Sequence, residues 1–120
     1  MDEDCFMENV GKFLNRYGSV SEVNTISWKK NERILPYVVQ SDEQKFAVFA
    51  FHWKKSIGTN TLIKTEHYIT ELNCDGALII GYKFSQNAID MVNDINHKRK
   101  NKILLLEKEE MDEMLRYQAV

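Results

Sequence analysis

Apolar and polar positions along this chain change their period several times, and each change marks a new element. Phe6, Val10, Phe13, Leu14 and Tyr17 recur on one helical face, with Glu8, Lys12, Asn15 and Arg16 on the other. This spacing predicts an opening helix closed by Gly18. Three strands follow. Ser19 to Trp28 is rich in β-formers with weak alternation. Arg33 to Gln40 carries Pro36 in its interior, which predicts an edge position or a bend. Ser41-Asp42-Glu43-Gln44 is a turn signal. Lys45 to Trp53 is apolar on both faces, so it is expected to be buried on both sides at the centre of a sheet.

Beyond Lys54 to Gly58, Thr59 or Thr61 is placed to cap a helix running to Asn73, with Leu62, Thr65, Ile69 and Leu72 inward. Asp75-Gly76 reads as a turn and Ala77 to Tyr82 as a short buried strand. Ser85 is placed to cap a helix with Ala88, Met91, Val92 and Ile95 on its inner stripe. Lys102 to Leu106 reads as a last strand, and Met111, Met114 and Leu115 lie on a final helix. The order α-β-β-β-α-β-α-β-α predicts an α/β fold. An antiparallel meander leads into parallel strand–helix–strand units, giving a mixed sheet with helices on both faces. No repeat or linker interrupts it, and residues 1–120 are expected to form a single domain.

Composition narrows the class. At 43% hydrophobic with 5 Gly and 1 Pro, the chain is neither disordered nor fibrous. The longest apolar runs, Ala77 to Ile80 and Ile103 to Leu106, fall far short of the roughly 20 residues a membrane helix needs. The opening Met1-Asp2-Glu3-Asp4 is acidic, unlike a secretory signal, so the expected setting is soluble and cytoplasmic, with no membrane contact. Cys5 and Cys74 lie far apart and are expected to be free, partly buried thiols. A net charge of −2 means that any nucleic-acid contact must come from a local patch.

Several segments, taken in order, resemble the restriction-endonuclease-like (PD-(D/E)xK) superfamily, and within it the Mrr-type domain of type IV restriction enzymes. They are the helix from Phe6 to Gly18, Trp53-Lys54-Lys55-Ser56-Ile57-Gly58, Asp75-Gly76-Ala77-Leu78-Ile79-Ile80, Phe84-Ser85, and Ile103-Leu104-Leu105-Leu106. The resemblance implies a restriction-endonuclease-like sheet and an ancestral Mg²⁺-dependent DNA endonuclease. Such enzymes need an acidic residue on the second core strand and a Glu/Gln-x-Lys pair on the next. The carboxylates hold the cation and the lysine orients water or offsets charge. Counting back from Gly58, the pair falls on Phe49-Ala50-Phe51 and the acidic place near Pro36. The chemistry does not transfer with the fold.

A relocated site could draw on Glu8, His52, Lys54 and Glu66, with Mg²⁺ as cofactor; their alternative role is solvated surface charge. His52, His67 and His97 lack metal-ligand spacing. Basic residues gather at Lys29-Lys30, at Lys54-Lys55, and from His97 to Lys102. In the resembled fold the Lys54-Lys55 loop and the start of the next helix lie near DNA. Lys54, Lys55, Asn60, Thr61 and Lys64 are therefore the candidate phosphate contacts. The His97–Lys102 run suits a solvated helix C-terminus. Three expectations follow: a catalytically degenerate domain that binds DNA or docks a partner, including a second copy of itself; an active endonuclease with relocated residues and Mg²⁺; or a protein-interaction module without nucleic acid.

Overall fold

The computed structural model describes residues 2–22, 34–98 and 102–117; for 2–4, 22 and 34–36 it describes the backbone. The elements are α1 (Asp2–Leu14), β1 (Ser19–Glu22), β2 (Ile34–Ser41), β3 (Gln44–Phe51), α2 (Thr59–Glu71), β4 (Gly76–Gly81), α3 (Gln86–Lys98), β5 (Ile103–Glu107) and α4 (Lys108–Tyr117). Their order is the one the hydrophobic pattern predicts. The later part of the first predicted strand, from 23 on, and Lys29-Lys30 lie outside the described residues, as does Arg33.

The strands form one sheet in the order β1-β2-β3-β4-β5. β1, β2 and β3 are antiparallel neighbours. β4 pairs parallel with β3, and β5 parallel with β4. A two-residue turn, Asp42-Glu43, joins β2 to β3, with Asp42 at φ 50°. Pro36 is on β2, which is paired on both sides along part of its length. The described part of β1 ends opposite Tyr37, one residue before Pro36.

β3 is the centre of the sheet because both of its faces are apolar. Ala47, Phe49 and Phe51 pack with Leu62 and Ile69 of α2, Ile79 of β4, and Ala88 and Val92 of α3. Val48 and Ala50 pack on the other side with Phe6, Val10, Phe13 and Leu14 of α1 and Met111 of α4. Burying a Phe or Leu side chain contributes about 1.5–3 kcal/mol, so these two layers hold the fold together.

Several boundaries depart from the pattern. α1 stops at Leu14 and tightens into a turn, with Arg16 N–H donating to Phe13 O at 3.3 Å and Tyr17 N–H to Leu14 O at 3.0 Å. Tyr17 consequently leaves the apolar face and is half exposed. Gly18 does not end the helix by a left-handed turn. It is small because the backbone passes β2 closely: a Cβ there would meet Gln40 O at 2.1 Å. Gly18→Ala forces two backbone segments apart and is expected to cost about 1–3 kcal/mol, as overpacking does. Urea denaturation checks this, with Gly11→Ala, which meets open space, as control.

α2 is capped by neither threonine. Gly58 is the N-cap, extended at φ −104° and ψ −175°, and Thr59 and Thr61 lie inside the helix. Ser85 does cap α3, its Oγ accepting from Ala88 N–H at 3.1 Å. Gly76 belongs to β4, and Asp75 ties it to β3: Asp75 N–H donates to Lys45 O at 2.7 Å, and its carboxylate accepts from Lys45 N–H at 2.8 Å. Among the described residues no helix is long and apolar enough to cross a membrane.

Candidate nucleic-acid interface

β3 ends at Phe51, two residues earlier than its apolar run predicts, and the chain turns outward over 52–58 before α2 begins. Two contacts fix this loop. Trp53 packs on Phe51, ring centroids 4.9 Å apart. Ile57, almost wholly buried, forms an isolated parallel bridge with Phe84. Its N–H donates to Lys83 O at 2.9 Å and its carbonyl accepts from Ser85 N–H at 3.0 Å. Gly81 makes room for Ile57, since a Cβ there would stand 2.3 Å from the Ile57 Cδ1 atom.

The anchored loop presents cations to solvent. Lys54 and Lys55 are exposed, and Lys55 Nζ lies 5.1 Å from the Trp53 ring centroid, a cation–π distance. Asn60 and Lys64 of α2 are exposed as well, and Thr61 is half-buried. The first turn of α2 has no acidic residue, and glycine offers no side chain to cap it. The leading N–H groups of a helix have no acceptor within it and carry the positive end of the helix dipole. The five candidate contacts thus lie on one continuous segment around one helix N-terminus.

Of the positions matched to the catalytic motif, Phe49 and Phe51 lie on the inside of β3. Pro36 and Phe49 are register partners on β2 and β3, so the matched acidic place and the first position of the matched pair are neighbours across the sheet. Phe49 and Phe51 are both 0% exposed, beneath α2 and α3.

The relocated set is not brought together. Glu8 is exposed on α1 and Glu66 is half-buried on α2, helices on opposite faces of the sheet. His52 turns to the α1 side, its ring 5.3 Å from Phe6 and 5.6 Å from Tyr82, and Lys54 stands out on the loop. Among the described residues, no three His, Cys, Asp or Glu side chains converge as metal ligands would. Both His52 ring nitrogens are buried without a hydrogen-bond partner among those residues. His67 is an exposed helix residue 3.9 Å from Glu71.

Sequence reasoning missed the polar seam between α1 and α4. Asn9 Nδ2 donates to Asp112 at 3.1 Å, and Lys108 pairs with Asp112 at 2.7 Å, locking α1 to α4. The hydrogen bond to Asp112 pushes the Lys108 ammonium above its ordinary value. The i,i+4 spacing of Lys108 and Asp112 was visible in the sequence, but Asn9 is not local to them. At the end of α3, Lys98 pairs with Asp94 at 3.1 Å and Lys102 Nζ donates to Asn96 O, while 99–101 lie outside the described residues.

The two cysteines differ. Cys74 is buried and Cys5 is exposed, so the reading of both as partly buried is corrected. Burial pushes the Cys74 thiol up, opposed by the Lys45 charge and reinforced by Asp75. Thiolate is the reactive form, so Cys74 is short of both access and ionisation at neutral pH. A thiol reagent on the native protein is expected to modify Cys5 quickly and Cys74 only on unfolding; mass spectrometry of timed aliquots checks the order.

No family model matches the chain, and no curated protein matches it. Among solved structures, it superposes on the DNA modification-dependent restriction endonuclease AspBHI with a TM-score of 0.64 at 16% sequence identity. The match covers 95% of this chain and 31% of that one, so this chain spans about a third of that protein's length. The chain has the restriction-endonuclease-like fold.

Proposed function

We propose that this chain is a nuclease-fold domain of the Mrr type whose catalytic strand has become apolar, and that it now holds DNA without cutting it. Lys54, Lys55, Asn60, Thr61, Lys64 and the open N-terminus of α2 take the phosphates. One observation carries the reading: the strand that buries Phe49 and Phe51 completely at the motif positions ends in a loop that exposes Lys54 and Lys55 beside an uncapped helix start. A phenyl ring offers no oxygen to Mg²⁺ and no proton to water, whereas paired ammonium groups and free N–H donors suit phosphate.

Because these contacts address the backbone of the nucleic acid, binding is expected to ignore sequence and base modification. With a net charge of −2 on the whole chain, it is also expected to be weak and salt-sensitive. The test pairs retention of duplex DNA, modified and unmodified, across a salt series with plasmid nicking in Mg²⁺ or Mn²⁺. The expected result is retention at low salt for both duplexes and no nicking. Nicking abolished by Glu66→Ala or Lys54→Ala overturns the proposal in favour of an active endonuclease with relocated residues. Neither retention nor nicking overturns it in favour of a protein-docking module.

A further inference from the structure

The outer side of β5 is closed by side chains. Along a strand, successive residues turn their N–H and C=O groups to opposite sides. Lys102 O accepts from Ala77 N–H at 3.0 Å, so Lys102, Leu104 and Leu106 address β4, while Ile103, Leu105 and Glu107 address the outer edge. Asn96, in the last turn of α3, covers Ile103 there. Its Nδ2 donates to Ile103 O at 2.9 Å and its Oδ1 accepts from Ile103 N–H at 2.8 Å. One amide side chain thus makes both bonds that a residue on a sixth strand would make. At the other end, Glu110 Oε1 accepts from Glu107 N–H at 3.2 Å. Between them, Leu105 keeps its outward groups without a partner among the described residues.

We infer that Asn96 is an edge guard, holding shut a strand that would otherwise pair antiparallel with β5 of a second copy. The outward residues fit such a pairing about a two-fold axis through Leu105: Leu105 opposite its own copy, Ile103 opposite Glu107. The side chains fit it too. Leu104 is 59% exposed and would lie opposite Leu106 of the second copy, in the kind of apolar cross-strand pair that stabilises sheets. An unguarded apolar edge of this kind is a template for association. The guard removes the hydrogen bonds at both ends of the ladder and leaves a central pair too few to hold two molecules.

Amide hydrogen exchange on the wild-type protein reads the guard directly. Ile103 N–H is expected to be slow and Leu105 N–H fast, although both face the same edge. Asn96→Ala with Glu110→Ala frees Ile103 O and the Glu107 N–H opposite it, and is expected to self-associate at least about tenfold more tightly than wild type in sedimentation, since each of the two restored bonds is worth about 1 kcal/mol net. Leu105 N–H then becomes slow in the associated form. Adding Leu105→Pro to that variant is expected to return it to the wild-type state, because the proline removes an N–H that only the second copy uses. Where the double variant does not fold, Asn96→Leu with Glu110→Ala, which keeps the volume of Asn96 without a donor or acceptor, is read the same way. Slow exchange of Leu105 in wild-type monomer overturns the inference. So does a folded double variant that associates no more than wild type, or one whose association survives Leu105→Pro.

Discussion

Phe49→Glu and Phe51→Lys together, which put the motif's acid and cation at the matched positions, are expected to yield an unfolded chain and no nuclease. Each ring is fully buried among Leu62, Ile69, Ile79, Ala88 and Val92. Removing one such ring alone costs about 3–5 kcal/mol. Burying a carboxylate or ammonium in its place adds several kcal/mol more, because the face of the sheet that receives them is apolar. Domains of this size have about 5–15 kcal/mol in total, so the double substitution exceeds the whole margin. Circular dichroism and limited proteolysis check it: loss of the cooperative transition is expected for the double variant. Phe49→Leu, which nearly preserves volume, is expected to stay folded at a cost below about 1.5 kcal/mol. A folded double variant that nicks DNA in Mg²⁺ overturns this account, since it shows that the buried strand can carry the chemistry.

The same two residues show what a sequence can and cannot reveal. An unbroken apolar run from Phe46 to Phe51 marks a strand covered on both faces, and β3 lies at the middle of the sheet for that reason. The order of the nine described elements follows from such local periods, and Ser85 at the head of α3 follows from the chemistry of its own hydroxyl. Contacts between residues distant in the chain were not legible. Asn9 with Asp112, and Gly18 against Gln40, depend on how the layers stack. The helix start at Gly58 was missed because two threonines beside it carry the usual capping group.

The separation of Glu8 from Glu66 had a readable cause. β3, β4 and β5 step across the sheet in one direction, and right-handed crossovers place α2 and α3 on the same face. α1 covers the opposite face, so two carboxylates on α1 and α2 cannot meet across the sheet.

Reversing the charge of the loop, Lys54→Glu with Lys55→Glu, is expected to weaken DNA retention by about ten- to a hundredfold at moderate salt. The reason is counterion release. Each phosphate neutralised contributes about −0.9 to the slope of log affinity against log salt. Losing two contacts should therefore flatten that slope by about 2, a signature that a merely destabilised protein does not give. Both side chains are exposed on a loop held by Trp53 and Ile57, so the fold is expected to change by no more than about 0.5 kcal/mol. Reversing Lys98 serves as control: its ammonium is already paired with Asp94 at the far end of α3, and retention should stay near wild type. Neutral variants, Lys54→Gln with Lys55→Gln, should fall between the two, because the N–H groups at the start of α2 remain while the ammonium charge is gone. If the Lys98 reversal costs as much as the loop reversal, the binding is diffuse attraction to a whole surface, and the loop is not its address.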